Sequence, residues 1–149
     1  MSDNSRILLA EDNPLDVELT ISVLQEHRLA NEIDVVSNGA EALDYLFKRG
    51  RFAGRAGGNP TLLLLDLKMP KVDGIEVVRL AKEDPNLRTI PIVMLTSSRE
   101  EQDLVRSYDC GVNSYVIKPV DFDAFVEVVK SLGIYWTVHN QPRPPFQHP

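Results

Sequence analysis

A doubly wound α/β domain on a five-stranded parallel sheet is the architecture to expect from this chain. Short apolar runs recur five times, amphipathic stretches of helical length separate them, and polar residues gather just past the ends of the runs. The first two features mark βαβ units, because a strand that returns parallel to its neighbour needs a crossover helix. The third bears on function, because an open parallel sheet binds its ligand beyond the carboxyl ends of its strands.

The runs are Ile7-Leu8-Leu9-Ala10, Ile33-Asp34-Val35-Val36, Leu62 to Leu65, Ile92-Val93-Met94-Leu95 and Tyr115-Val116-Ile117. Leu62 to Leu65 is apolar throughout, as a central strand covered on both faces must be. Between the first two, residues 14 to 28 alternate like a strand through Leu15, Val17, Leu19, Ile21 and Val23. Length, Pro14 near the start, and Glu18, Gln25 and Glu26 assign them to a helix instead. Ala40 to Lys48 comes after an Asn-Gly pair, and Ile75 to Lys82 sets Ile75, Val78 and Leu80 mostly to one side. Arg99 to Cys110 opens with Ser98 as N-cap and Glu101 three residues on, a capping box, and stops at Gly111. Asp121 to Leu132 carries Phe122, Phe125, Val126 and Val129 at helical spacing.

The 149 residues suit one core. A net charge of −6 argues against nucleic-acid binding, since phosphate backbones reward clustered Lys and Arg. Cys110 is the single cysteine, so no internal disulfide forms and a reducing compartment fits. With no secretory leader in MSDNSR and no window of membrane-spanning length, a cytoplasmic location without membrane partners is expected. "RGRFAGRAGGNP" (49 to 60) reads as a mobile, solvated Gly- and Arg-rich loop. Cys110 reads as a small buried residue, and His27, His139 and His148 are too scattered to hold a metal.

The residues just past the strand ends make up the candidate site: Glu11 and Asp12 after the first, Asp66 after the third, Thr96 and Ser97 after the fourth, Lys118 and Pro119 after the fifth. Clustered carboxylates repel unless a cation neutralises them, and hard oxygen ligands with room for water suit Mg²⁺. A carboxylate is also a nucleophile that can form an aspartyl-phosphate. Such a transfer needs the phosphoryl charge met by a metal on one side and an ammonium such as Lys118 on the other. Asp66 is thus where a phosphoryl group would be placed, with the Thr96 hydroxyl beside it.

The segments "LLAEDN" (8 to 13), "LLLLDLKMPKVDG" (62 to 74), "VMLTS" (93 to 97) and "YVIKP" (115 to 119) together resemble the receiver domain of two-component response regulators. The likeness covers roughly residues 5 to 132 and implies the flavodoxin-like fold. It implies Asp66 as phosphoacceptor and a Mg²⁺ site formed by Glu11, Asp12, Asp66 and the backbone carbonyl of Lys68. It also implies Thr96 and Tyr115 as a switch pair, and Lys118, in cis linkage to Pro119, as the phosphate-binding lysine. Glu11 stands where the family often has Asp. Met69-Pro70 with Gly74 would shape the loop presenting the Lys68 carbonyl. Lys68 and Ser98 occupy the positions that tune phosphate lifetime in the family, and a long Lys68 side chain predicts slow self-dephosphorylation.

The resemblance implies a sensor histidine kinase as donor, and no basic helix-turn-helix is present after the receiver to direct transcription. Output is expected through a partner protein, a downstream phosphotransfer protein or a dimer, and the protein is not expected to turn over an external substrate. A phosphatase of the haloacid-dehalogenase type also uses a strand-end aspartate, but its D-x-D-x-[TV] pattern is missing after the first strand. The closing "LGIYWTVHNQP" is similar to the tail of the small regulators serving bacterial and cyanobacterial phytochromes. Residues 1–132 are therefore read as the receiver and 133–149 as an aromatic, Pro-rich extension. Leu132, Tyr135 and Trp136 would form the arm of a two-fold homodimer, because large aromatics favour interfaces.

Overall fold

The computed structural model describes residues 6–27, 32–108 and 110–132. Tyr135, Trp136, His139 and His148 lie outside these residues. The order of elements is β1 (Arg6–Ala10), α1 (Pro14–Glu26), β2 (Glu32–Val36), α2 (Gly39–Phe47), a 3₁₀ turn (Gly50–Phe52), β3 (Leu62–Asp66), α3 (Gly74–Glu83), β4 (Ile92–Thr96), α4 (Arg99–Tyr108), β5 (Ser114–Ile117) and α5 (Phe122–Ser131). The strands form one parallel sheet in the order β2-β1-β3-β4-β5.

Period-two alternation divides the apolar strands between two cores. Leu8, Leu63, Leu65, Ile92 and Met94 face α2, α3 and α4. Ile7, Leu9, Leu62, Leu64, Val93 and Leu95 face α1 and α5. The strand-like alternation in α1 resolves the same way: Val17, Ile21 and Leu24 pack inward while Leu15 and Leu19 face solvent. Asn13 caps this helix, its side chain accepting the backbone N–H groups of Leu15 and Asp16, with Pro14 at the first helical position.

Three details differ from expectation. In α5 the buried stripe is Phe125, Val128 and Val129, and Phe122 lies outside it with its ring 4.1 Å from that of His27. The last helix before Gly111 ends at Tyr108, and Cys110 is half-buried rather than enclosed. The 49–60 loop is mostly exposed, as a solvated loop should be, but its arginines also contact α2, which its composition did not foretell. Arg55 donates twice to the Tyr45 carbonyl (3.1 and 2.8 Å) and its guanidinium sits 3.9 Å over the Tyr45 ring. Arg49 pairs with Asp44 at 2.9 Å and Arg51 with Glu41 at 3.3 Å. These contacts have a physical cause: α2 has no basic residue in its last turn, and the loop brings cations to its carboxyl end and its acidic side chains.

Close packing fixes the loop between β3 and α3, which borders the strand ends. A Cβ at Gly39 would lie 1.8 Å from the Val72 carbonyl oxygen, and one at Gly74 would lie 2.6 Å from the Asp66 carbonyl oxygen. Only glycine allows α2 and α3 to start so close to this loop.

Candidate functional site

The carboxyl ends of the strands carry a cleft lined by Glu11, Asp12, Asp16, Asp66, Lys68, Ser97, Glu101 and Lys118, among others. Sheet bonding continues one residue past the strands and sets these residues in register. Glu11 N–H donates to the Val36 carbonyl at 3.0 Å, Leu67 N–H to Leu95 at 3.2 Å and Lys118 N–H to Thr96 at 2.7 Å. Ala10 pairs with Leu65, so Glu11 and Asp66 come next, side by side. The Lys118–Pro119 peptide is cis, as expected.

Charge in the cleft is buried and unevenly matched. Glu11 is 1% exposed and Asp66 5%. The Lys118 ammonium serves three carboxylates: Asp16 at 3.0 Å, Asp66 at 3.1 Å and Glu11 at 3.2 Å. Burial disfavours the ionised carboxylates, and the negative charge of Asp66 adds to this at Glu11, so Glu11 is pushed up to about 7. Burial likewise raises Asp66, with Lys118 opposing and Asp12 reinforcing the rise. Lys118 is itself raised, because its acidic partners outweigh the burial that would lower it. Carboxylate oxygens of Glu11, Asp12 and Asp66 lie within 4.8 Å of one another, with Glu11 and Asp66 buried and Asp12 open to solvent. Such an all-oxygen, over-charged set suits a hard divalent cation.

Thr96 is fully buried at the end of β4, and its hydroxyl has no hydrogen-bond partner among the described residues. A buried hydroxyl left unpaired costs about 1–3 kcal/mol. An acceptor oxygen brought to this strand end would give the donor a partner.

The sequence-predicted residues thus divide. Glu11, Asp12, Asp66, Lys68, Ser97 and Lys118 line the cleft, with Thr96 buried at the end of β4. Tyr115 does not line it. Paired in register with Met94, it packs half-buried on the α2–α4 side, with the Arg106 guanidinium 4.8 Å from its ring. Ser98 caps α4, accepting the Glu101 N–H at 3.1 Å. Lys68 extends to Glu101, 3.2 Å away, with its side chain 75% exposed. Sequence alone gives two of the cleft residues, Asp16 and Glu101, no site role. Asp16 stands in the first turn of α1, and only its contact with the distant Lys118 brings it to the cleft.

Comparison with known proteins agrees with this geometry. The family model described as the response regulator receiver domain matches residues 7–130. The response regulator Rcp1 of Synechocystis sp. is 35% identical over 140 residues, covering 91% of this chain and 94% of that protein. Its solved Mn(2+)-bound form superposes with a TM-score of 0.70 at 34% identity, covering 94% of this chain and 99% of that one. The bacteriophytochrome response regulator AtBRR superposes with a TM-score of 0.89 at 54% identity, covering 94% of this chain and 100% of its own. The phosphorylated cyanobacterial phytochrome response regulator RcpA gives 0.71 at 36% identity, covering 95% and 99%.

Proposed function

This chain belongs to the response regulator receiver family, and from that membership we propose that Asp66 accepts a phosphoryl group from the phosphohistidine of a sensor histidine kinase. The observation that carries the reading is the buried Thr96 hydroxyl, without a hydrogen-bond partner among the described residues, one residue past the register partner of Asp66 and beside Lys118, whose N–H donates to the Thr96 carbonyl. An Asp66 carboxylate oxygen attacks phosphorus, the P–N bond breaks, and its electron pair returns to the imidazole nitrogen. Lys118, already 3.1 Å from Asp66, favours the ionised nucleophile and binds a phosphoryl oxygen of the product. Thr96 donates to another. Glu11, Asp12, Asp66 and the Lys68 backbone carbonyl would hold Mg²⁺, which supplies positive charge against the phosphoryl oxygens when bound. The Mn(2+)-bound Rcp1 supports a divalent cation at such a site.

Thr96 moving toward the phosphate leaves room for Tyr115, which packs on the same side of the sheet, to move after it and reshape the surface of α4, β5 and α5. The protein assists only its own phosphorylation and dephosphorylation. Its output passes to a protein partner, with a phosphotransfer protein as a further recipient of the phosphate. The phytochrome regulators among its relatives support a bacteriophytochrome as the donor kinase. No described helix is long and apolar enough to cross a membrane.

With Mg²⁺ and acetyl phosphate, the protein takes one phosphoryl group, and Asp66→Asn takes none while keeping the native circular dichroism spectrum. Undiminished labelling of that variant overturns the assignment. Residues 1–132 form the receiver in this reading, and 133–149 form an arm that, with Leu132, joins two copies. Truncation after Leu132 gives a monomer in sedimentation that still labels at Asp66; a truncated protein that stays dimeric at micromolar concentration excludes the arm as the link.

A further inference from the structure

Glu101 lines the same cleft as Asp66, yet phosphoryl transfer to Asp66 gives it no part. It sits in the first turn of α4 with its side chain 13% exposed, and both carboxylate oxygens are engaged. One accepts the Ser97 N–H at 2.8 Å and the other meets the Lys68 ammonium at 3.2 Å. Burial would raise its pKa, but Ser97 and Lys68 outweigh that and hold it below the ordinary value, so it is an anion.

These two donors stand where a phosphoryl group on Asp66 would seek them. Ser97 is the next residue after the unpartnered Thr96, and Lys68 is two residues past Asp66; both line the cleft. A dianion bound there and the Glu101 carboxylate repel each other and compete for the same N–H groups. We propose that Glu101 is an internal competitor of the phosphoryl group, occupying the Ser97 N–H and the Lys68 ammonium until phosphorylation displaces it. The proposal rests on Asp66 being the phosphoacceptor. Its consequence reaches beyond the cleft, because the Glu101 carboxylate ties the Ser97 N–H just before α4 to the helix's first turn, and its release leaves the Ser98 Oγ cap to hold that start alone. Lys68 then has a second role besides screening the phosphate: it is the cation that holds the competitor in place.

A simple helix cap would use the same contacts, and the test separates the two. Beryllofluoride with Mg²⁺ serves as the phosphoryl mimic, titrated against the full chain while the Ser97 amide resonance is monitored. Glu101→Gln keeps an acceptor for the Ser97 N–H but drops the charge. It binds the mimic more tightly, by roughly two- to tenfold, from the loss of one exposed ion pair up to the lower limit of one charge-assisted hydrogen bond. Glu101→Asp keeps the charge but is one methylene short of both donors, and it too binds more tightly if direct competition is at work. In the parent the Ser97 amide shifts on saturation as Glu101 leaves it. Unchanged or weaker binding by Glu101→Gln overturns the proposal, as does Glu101→Asp binding like the parent or a Ser97 amide that does not respond. Undiminished binding of the mimic by Asp66→Asn instead overturns the phosphoacceptor reading.

Discussion

Two regions of this molecule gather charge, and they do so in opposite ways. On α2 the arginines of the 49–60 loop meet matched partners near the surface: Arg49 with Asp44 and Arg51 with Glu41, at side-chain exposures of 56%/38% and 63%/31%. In the cleft, one ammonium 14% exposed is shared among three carboxylates, two of them nearly sealed from water. The first arrangement is balanced and contributes little per pair. The second is short of positive charge, and a buried set of that kind persists only where a cation or proton completes it. Matched charge on a surface serves the fold, whereas unmatched charge in a cleft is available for chemistry.

The sharpest way to break this contrast is to remove the shared cation. Lys118→Met leaves Glu11 and Asp66 buried beside each other without a counter-charge. Phosphorylation by acetyl phosphate should slow by roughly 100- to 1,000-fold, the loss seen when a preorganised donor to developing charge is removed. Without metal at neutral pH the variant should lose about 3 kcal/mol of stability in a urea titration. A variant that labels at the parental rate shows that Lys118 only balances charge.

Protons offer a second, milder test. Glu11 is raised from 4.5 to about 7, and Asp66 is raised with it. Over that window the folded protein binds more protons than the unfolded chain, so metal-free stability falls as pH rises from about 4.5 to about 7. Mg²⁺, if held there as proposed, would replace the protons as the source of positive charge. The gain in Tm on adding it should therefore be larger at pH 7.5 than at pH 5. Unfolding scans in chelator and in Mg²⁺ across this range check both trends, and a Tm in chelator that climbs toward pH 7 contradicts them.

Much of the cleft could be read from the chain because its members stand directly after the apolar runs. Strand ends in a parallel sheet share one rim, so Glu11, Asp12, Asp66, Thr96 and Lys118 need no knowledge of packing to be grouped. The helices were legible for a similar local reason: even the ambiguous α1 declares itself through Pro14 and its length. What stayed hidden depends on partners far away in sequence. Asp16 gains its role from Lys118, 102 residues on. Glu101 announced a helix cap, which it is, but not its bridge to Lys68. The 49–60 loop has the composition of a solvated linker, and only its position beside α2 gives its arginines acceptors. Phe122 keeps core spacing in the sequence, yet the helix is rotated so that Val128 takes the buried place.

The smallest effects belong to the balanced region, where function should be indifferent. Arg55 differs from its neighbours in how it holds Tyr45, with two hydrogen bonds to the carbonyl and a guanidinium over the ring, and it also donates to the Gly58 carbonyl at 3.0 Å. That carbonyl lies in the last turn of α2, where its backbone bond from the Lys48 N–H is long at 3.3 Å and a cation is favoured. Arg55→Met keeps the aliphatic stem but loses the bonds and the charge, and should cost about 1–2 kcal/mol. Arg51→Ala, at a 63% exposed side chain, removes a pair that water already screens. Its cost should stay within about 0.5 kcal/mol. Urea titrations of the two variants measure the difference, and acetyl phosphate labelling of Asp66 should match the parent in both. Slowed labelling in Arg55→Met would mean that the loop reaches the cleft through α2, whose start is packed by Gly39 against the Val72 carbonyl of the loop after Asp66.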